Sequence, residues 1–179
     1  MAGLTLLSAC ADADYRPARH AFHGALATPY RLDAGDELRV IVFGQADLTN
    51  TYAVDRGGTI SMPLVGIVPV RGRTTTEVER EIAARLRAGY LRRPDVAAEV
   101  ARYRPIFVMG EVNAAGQYAY VAGATIQTAI ATAGGFAQRA DKSSVKVTRS
   151  AGGEVETAKL GMTDPVMPGD TIYVRERIF

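Results

Sequence analysis

Hydrophobic residues early in the chain occupy every second position over a short stretch. Leu38, Val40 and Val42 follow this spacing between a Gly35-Asp36 turn and Gly44. Alternation with a period of two is typical of a strand with one buried face, and glycine next to aspartate is typical of a tight turn. The pattern therefore predicts a strand that begins directly after the turn. The same Gly-Asp pair recurs late in the chain at Gly169-Asp170, again before an alternating stretch.

A hairpin is predicted between residues 52–54 and 59–62, which flank the turn sequence Asp55-Arg56-Gly57-Gly58. Glycine supports this prediction because it adopts the positive φ that tight turns require. Residues 66–70 add another short strand. Pro69 favours an edge position for it, because proline has no N–H to donate to a neighbouring strand.

The hydrophobic period then changes from two to about four, which predicts a helix. Thr74 and Glu77 have the spacing of a capping box, and Gly89 is placed to end the helix. The predicted apolar stripe consists of Val78, Ile82 and Leu86. Residues 96–101 alternate again and predict a returning strand.

The second half of the chain repeats short strands around one short helix. Strands are predicted at residues 106–112, 117–121, 144–148, 155–160 and 170–174, and a helix at 125–133 that ends at Gly134-Gly135. This order is that of a β-grasp fold. The predicted class is α+β: a small mixed β-sheet domain at residues 29–104, a boundary near residues 102–105, and a β-grasp domain at 105–179.

The N-terminus has the order of residues that precedes a bacterial lipidated cysteine. Leu7-Ser8-Ala9 leads into Cys10, the chain's single cysteine, so residues 1–9 are interpreted as a short signal segment and 10–28 as a lipid anchor and tether. The segment has no Lys or Arg and is short for a signal peptide, so it looks truncated. The alternative is an apolar tail with a chance cysteine. Ala11 after the cysteine favours the outer membrane.

Composition restricts the possible partners. The hydrophobic fraction of 47% suffices for ordinary cores, and the net charge of +2 gives no support for nucleic acid binding. An arginine-rich stretch is predicted to contact an acidic polymer or a neighbouring subunit, with a solvated surface as the alternative; its candidate residues are Arg92, Arg93, Arg102 and Arg104. Tyr90, Tyr103, Tyr118 and Tyr120 are candidates for stacking on sugars, although tyrosines on short strands are more often half-buried.

Neither catalysis nor metal binding is predicted. Asp33, Asp36 and Glu37 resemble a pair of glycosidase carboxylates only superficially, since aspartate beside glycine is ordinary turn chemistry. His20 and His23 are the chain's two histidines, and no further ligands lie near them in the sequence. We therefore expect no enzyme, cofactor or metal site.

Five motifs in series resemble the outer-membrane polysaccharide export family. Residues 30–38 resemble the opening of its export-sheet domain, and residues 55–66 resemble that domain's hairpin signature. Gly110-Glu111-Val112 through Gly116-Gln117-Tyr118, then Ala133-Gly134-Gly135 and Pro168-Gly169-Asp170, resemble the soluble-ligand-binding β-grasp (SLBB) domain. The resemblance covers about residues 28–179, in the family's order.

This resemblance implies a periplasmic lipoprotein subunit of a capsular or exopolysaccharide export channel, held at the outer membrane. Its implied partners are further copies of itself in a ring, the polysaccharide, an inner-membrane polysaccharide co-polymerase and a separate outer-membrane β-barrel. The last of these is expected because the sequence has no long amphipathic helix after its final strand. The competing interpretation is a glycan-binding β-grasp module of the envelope with no transport role.

Overall fold

The computed structural model describes residues 28–151 and 154–177. The first unit contains strands β1 (Glu37–Val42), β2 (Asn50–Ala53), β3 (Thr59–Met62), β4 (Gly66–Pro69) and β5 (Val96–Arg102), a 3-10 turn (Ala46–Leu48) and helix α1 (Thr75–Gly89). The second unit contains β6 (Ile106–Gly110), β7 (Gly116–Tyr118), helix α2 (Ile126–Thr132), β8 (Val145–Ala151), β9 (Glu154–Leu160) and β10 (Thr171–Val174). The predicted α+β class is confirmed.

Two small sheets and one helix build the first unit. Strands β2, β1 and β5 form an antiparallel sheet in that order, and β3 and β4 form a separate antiparallel pair. The alternating residues of β1 point into a core with the apolar stripe of α1, and Val78, Ile82 and Leu86 are fully buried there. The spacing of these residues thus packs one helix face against the sheets.

The capping box predicted at Thr74 and Glu77 is present. The Thr74 hydroxyl accepts from the Glu77 N–H at 3.3 Å, and the Glu77 carboxylate accepts from the Thr74 N–H at 2.8 Å. Both bonds satisfy N–H groups that a helix start leaves without a partner. The backbone hydrogen bond of Thr74 lowers the pKa of Glu77. The helix ends at Gly89, as predicted.

The predicted hairpin between residues 52–54 and 59–62 is wrong. Strand β2 pairs with β1, whereas β3 pairs with β4 through the turn at residues 63–65. Residues 55–58 do form a turn, in which the Asp55 carboxylate accepts from the Thr59 N–H at 2.8 Å. That turn changes the direction of the chain between two sheets instead of closing one hairpin. Pro69 ends β4 in a two-stranded sheet, where both strands are edges.

The second unit is a five-stranded mixed sheet with the order β7-β6-β10-β8-β9. Strands β6 and β10 are parallel and central, and the other neighbours are antiparallel. Helix α2 covers one face, with Ile126, Ala129 and Ile130 buried against the sheet. This is the predicted β-grasp arrangement. Strand β7 is shorter than predicted and ends at Tyr118.

No helix in the described part of the chain is long and apolar enough to cross a membrane.

Candidate functional site

Both Gly-Asp turns lie at the junction between the two units. At each turn the aspartate N–H donates to the carbonyl oxygen three residues earlier, from Asp36 to Asp33 at 3.2 Å and from Asp170 to Met167 at 3.1 Å. Each aspartate carboxylate also accepts from the N–H three residues earlier, at 2.9 Å for Asp36 and 2.8 Å for Asp170. The glycines have φ of 92° and 84°, a region that side chains disfavour. The repeated sequence therefore produces the same local structure twice.

Asp36 is fully buried and joins three parts of the chain. In addition to the Asp33 N–H, its carboxylate accepts from the Tyr30 hydroxyl at 2.7 Å and from the Arg104 N–H at 2.9 Å. Arg104 lies in the segment between β5 and β6. The turn of the first unit thus fixes the start of the second. Because the carboxylate is buried, each of its hydrogen bonds is stronger than it would be in water.

Asp170, the equivalent residue of the second turn, is also fully buried. Its two carboxylate oxygens accept from Arg149 Nε at 2.8 Å and from an Arg149 terminal nitrogen at 2.7 Å. This is a two-pronged arginine–carboxylate pair, the geometry that matches the planar guanidinium. It ties strand β8 to the turn before β10.

The Arg104 side chain lies between the two turns. Its guanidinium pairs with the Asp33 carboxylate at 3.1 Å, and Arg104 Nε donates to the Pro168 carbonyl at 2.9 Å. A Cβ added at Gly169 would overlap Arg104 Nε, and one added at Gly35 would lie 3.5 Å from Arg104 Cβ. One arginine therefore contacts both Gly-Asp turns, and only glycine leaves room for it at the second.

Three tyrosines extend this junction. The ring centroids of Tyr30 and Tyr103 are 5.0 Å apart and those of Tyr103 and Tyr120 are 5.3 Å apart, both edge to face. Such pairs stabilise beyond the area they bury. Burial, with a further contribution from the Asp36 charge, raises the pKa of Tyr30 far above its ordinary value. Tyr30 therefore remains a neutral hydrogen-bond donor to Asp36.

A groove of about 620 Å³ adjoins the junction. It is lined by residues 29–31, the first turn of α1, part of β5 and Tyr103. Its charges are largely paired within the chain: Arg31 lies 3.5 Å from Glu77, and Glu99 lies 3.6 Å from Arg39. The groove thus offers a concavity of mixed polar and apolar lining with no concentrated charge of either sign.

The structure separates the four arginines predicted to contact polymer or a subunit. Arg104 is part of the junction, with a side chain that is 15% exposed. Arg102 is exposed beside Glu37, with which it forms an ion pair on the junction side of the sheet. Arg92 and Arg93 are exposed near the opposite end, because the start of β5 pairs with the end of β1. Contact with polymer or a neighbouring subunit stays a prediction for all four.

Cys10 and the two histidines lie outside the described residues. Within residues 28–151 and 154–177, no group of three or more metal-ligating side chains comes together. The carboxylates that resemble a glycosidase pair all have structural partners: Asp36 and Asp33 at the junction, and Glu37 with Arg102.

Of the candidate tyrosines, Tyr103 and Tyr120 belong to the junction, Tyr118 donates to the Ala114 carbonyl at 2.5 Å, and Tyr90 is exposed after α1.

Comparisons with known proteins match both units in order. Residues 25–101 match the family described as polysaccharide biosynthesis/export protein, and residues 105–158 match the SLBB domain. The chain therefore carries a polysaccharide biosynthesis/export domain followed by an SLBB domain. The boundary between the two matches falls at residues 102–104, within the segment that carries Tyr103 and Arg104.

Three curated relatives align with most of this chain. The exopolysaccharide production protein ExoF of Rhizobium meliloti (strain 1021) is 36% identical over 129 residues, which cover 65% of this chain and 30% of ExoF. The EPS I polysaccharide export outer membrane proteins EpsA of Ralstonia solanacearum and of Ralstonia nicotianae (strain ATCC BAA-1114 / GMI1000) are 34% and 32% identical over 152 residues, covering 70% of this chain and 40% of each relative. The aligned region thus spans less than half of each relative.

The Gly-Asp turns are recognisable in the sequence, but their contact through Arg104 is not. The sequence places Asp36 in a turn, but it does not indicate the partners of Tyr30 and Asp170. The repetition of glycine, aspartate and an alternating strand was the available signal, because equal local structures at the start of one unit and the end of the other suggest a shared boundary. What brings them together is the position of Arg104, which only the fold reveals.

Proposed function

We propose that this protein is a subunit of an exopolysaccharide or capsular polysaccharide export channel in the periplasm, tethered to the outer membrane by lipid on Cys10. The observation that carries the proposal is the match of an export domain followed directly by an SLBB domain. Two relatives are named outer membrane polysaccharide export proteins, which supports the location and the cargo. The family is not an enzyme family, and we propose a role without catalysis.

The proposed subunits assemble into a ring through which the polymer passes. A ring of identical subunits needs the same contact to repeat with a closing rotation, so each subunit has to present its two units at a constant angle. The junction around Asp36 and Arg104 supports this, because buried charged hydrogen bonds resist bending between the units. In this arrangement the four predicted arginines, Arg92, Arg93, Arg102 and Arg104, contact the polymer or a neighbouring subunit, and Arg104 also holds the junction.

Partners in both membranes complete the proposed path. The resemblance to export systems favours an inner-membrane polysaccharide co-polymerase that delivers the polymer and a separate outer-membrane pore protein that releases it. A second candidate function is a glycan-binding envelope module without transport. The groove beside Tyr103 favours it only weakly, because its charges are already paired within the chain.

Deletion of the gene tests the proposal. We expect surface and secreted polysaccharide to disappear, with polymer or its intermediates retained in the cell, and a plasmid copy to restore export. A deletion strain with normal amounts of surface polysaccharide would exclude the export role. Chemical crosslinking in intact cells distinguishes the two candidates, because a ring subunit yields a ladder of multimers and a simple binding module yields monomer.

The anchor is tested separately. Cys10→Ser, expressed from the native gene, should lose palmitate labelling and leave the membrane fraction, while Ser8→Ala should behave as the parent does. Equal labelling of Cys10→Ser and the parent would contradict lipidation at this residue.

A further inference from the structure

The exposed large apolar side chains in the described part of the first unit gather near one end of that unit. They are Phe43, Leu64, Ile67 and Tyr90, and each is at least 55% exposed. Single apolar residues are common on protein surfaces, whereas a group of large ones marks an interaction site.

The directions of β1 and α1 place two of these residues at the end away from the junction. Strand β1 begins directly after the first Gly-Asp turn and runs for six residues, about 20 Å, before Phe43. Helix α1 begins near the junction, where Arg31 pairs with Glu77, and ends 15 residues later, just before Tyr90. Phe43 and Tyr90 therefore lie at the same end of the unit.

The hairpin of β3 and β4 points toward this end as well. Its base is held near the junction, where the Gly72 N–H donates to the Leu32 carbonyl at 2.8 Å. Farther along β4, Arg85 in the second half of α1 donates to the Ile67 carbonyl. Residues 63–66 follow beyond that contact and form the tip. We call Phe43, residues 63–67 and Tyr90 together the apolar end.

Leu64 at the hairpin tip has a backbone conformation that leucine disfavours. Its φ is 65°, and the Val65 N–H donates across it to the Pro63 carbonyl at 2.7 Å, which makes a γ-turn of the rare, strained kind. Glycine takes this conformation without strain. Leucine here is both strained and 57% exposed to water, which indicates that its side chain is used.

The hairpin also carries no charge. From Gly57 to Val70 the chain has no acidic or basic residue. Both strands of this two-stranded sheet are edges, and exposed edges usually carry charges that prevent unwanted pairing. A projecting, uncharged, apolar tip suits the hydrocarbon region of a lipid bilayer.

Positive charge surrounds the apolar end. Arg87, Arg92 and Arg93 are exposed, and among the described residues no carboxylate pairs with them. Asp47 and Asp95 are the acidic residues of the loops at this end, so the positive charges exceed the negative by one. The charge of Arg92 and Arg93 acts over about 8 Å, so it attracts anionic headgroups whichever contact these two residues make.

We propose that the apolar end docks on a lipid bilayer that carries anionic headgroups. Leu64 and Ile67 enter the hydrocarbon region. Phe43 and Tyr90 lie at its boundary, where aromatic side chains are favoured, and Arg87 contacts lipid phosphates. This inference goes beyond the proposed export function, because it adds a membrane contact made by the folded protein itself.

The proposed lipid on Cys10 allows this contact. The chain from Cys10 to Thr28 spans at most about 60 Å, whereas the apolar end lies about 20 Å beyond the junction at which the described chain begins. Lipid and apolar end can therefore engage one membrane, and the tether raises the effective concentration of the second contact.

A second copy of the protein fits the apolar end less well. Two such ends face to face would oppose like charges, which disfavours association. The groove beside Tyr103 is no better as a head-to-tail partner, because it carries the charges of Arg31, Glu77 and Glu99. An uncharged tip does not match them.

Vesicle binding tests the proposal. The full chain with Cys10→Ser carries no lipid, and its binding to vesicles is measured by sedimentation. Binding should rise with the concentration of phosphatidylethanolamine–phosphatidylglycerol vesicles and be about threefold to fivefold weaker with neutral phosphatidylcholine, because the net charge is small. No binding at several millimolar lipid would overturn the proposal, and equal binding to both lipids would overturn the role of anionic headgroups.

Leu64→Gly separates membrane contact from a structural role. Glycine relieves the strained φ, so the melting temperature should not fall, whereas binding should weaken about fivefold to tenfold because the apolar side chain is lost. Ile67→Ser should also weaken binding. Val155→Ser is its matched control, since Val155 is a 69% exposed strand residue of the second unit, and it should bind as the parent does. Equal binding of Leu64→Gly and the parent would overturn the proposal.

A single tryptophan reports whether the tip enters the bilayer. The chain has none, so Leu64→Trp and Val155→Trp each give one signal. Vesicles should shift the emission of Leu64→Trp to the blue and brominated lipids should quench it, with no change for Val155→Trp. Unchanged emission of Leu64→Trp would contradict insertion. Self-association without lipid that Leu64→Gly abolishes would assign this end to a second copy and overturn the membrane site.

These vesicle measurements contain no polysaccharide and need no export. Their failure therefore removes the membrane contact and leaves the proposed export function standing. If the vesicle results are as expected but gene deletion leaves surface polysaccharide unchanged, the export function fails and the membrane contact stands.

Discussion

Removal of the buried Asp36 carboxylate should destabilise the protein more than removal of any exposed aspartate. The substitution Asp36→Ala leaves three donors without their acceptor: the Tyr30 hydroxyl and the N–H groups of Asp33 and Arg104. An unsatisfied buried donor costs about 1–3 kcal/mol, and water entering the space left by the carboxylate recovers part of this. We therefore expect the free energy of unfolding to fall by about 3–5 kcal/mol.

A change of this size is easily measured. About 2–4 °C per kcal/mol applies to a chain of this length, so the melting temperature should fall by about 6–20 °C. Circular dichroism suits the measurement because the chain has no tryptophan. Asp36→Asn keeps the shape of the side chain but turns an NH₂ group toward one of the three donors. Its free energy of unfolding should therefore lie between those of Asp36→Ala and the parent.

Asp47→Ala is the matched control, since Asp47 is exposed and begins no strand. It should change the free energy of unfolding by less than about 0.5 kcal/mol. A melting temperature for Asp36→Ala within about 2 °C of the parent would refute the reasoning, because it would mean that Asp36 does not hold the junction.

Two further predictions concern the same region and its tyrosines. Gly169→Ala places a Cβ against Arg104 at a φ of 84°. In Gly44→Ala the φ is similar, at 74°, but the added Cβ contacts nothing. Urea unfolding should therefore show a larger loss of protein stability for Gly169→Ala than for Gly44→Ala. Burial raises the pKa of Tyr30, Tyr52 and Tyr120, so the unfolded chain loses these protons first and stability should fall as pH rises above about 10. Absorbance at 295 nm should then show Tyr30 ionising only as the protein unfolds, and Tyr52 and Tyr120 ionising at a higher pH than an ordinary tyrosine. Titration of all eight tyrosines at the ordinary pH in folded protein would contradict this.

Much of the local structure could be predicted from the sequence because it depends on neighbouring residues. The α1 capping box at Thr74, the four-residue stripe of Val78, Ile82 and Leu86, and the alternation in β1 all express short-range geometry. The order of strands around one short helix was likewise enough to predict the β-grasp unit. These features need no information about distant contacts.

Pairing between strands was decided by the tertiary structure. Residues 55–58 had good turn chemistry, yet β2 pairs with β1 and β3 with β4, because a turn fixes a change of direction and not the partner of the strand that follows. The choice depends on which apolar faces can share a core with α1. The parallel pairing of β6 with β10 has the same origin, since these two strands are distant in sequence and their register aligns Phe107 with Thr171 and Met109 with Tyr173.

The junction shows most clearly where sequence ends and tertiary structure begins. Each Gly-Asp turn was determined locally, by a glycine that accepts positive φ and an aspartate that accepts from the backbone three residues before it. The contact of Arg104 with both turns was not determined locally, because residues 36, 104 and 170 are far apart along the chain. Only folding buries both carboxylates, and burial converts two ordinary turns into the polar link between the units.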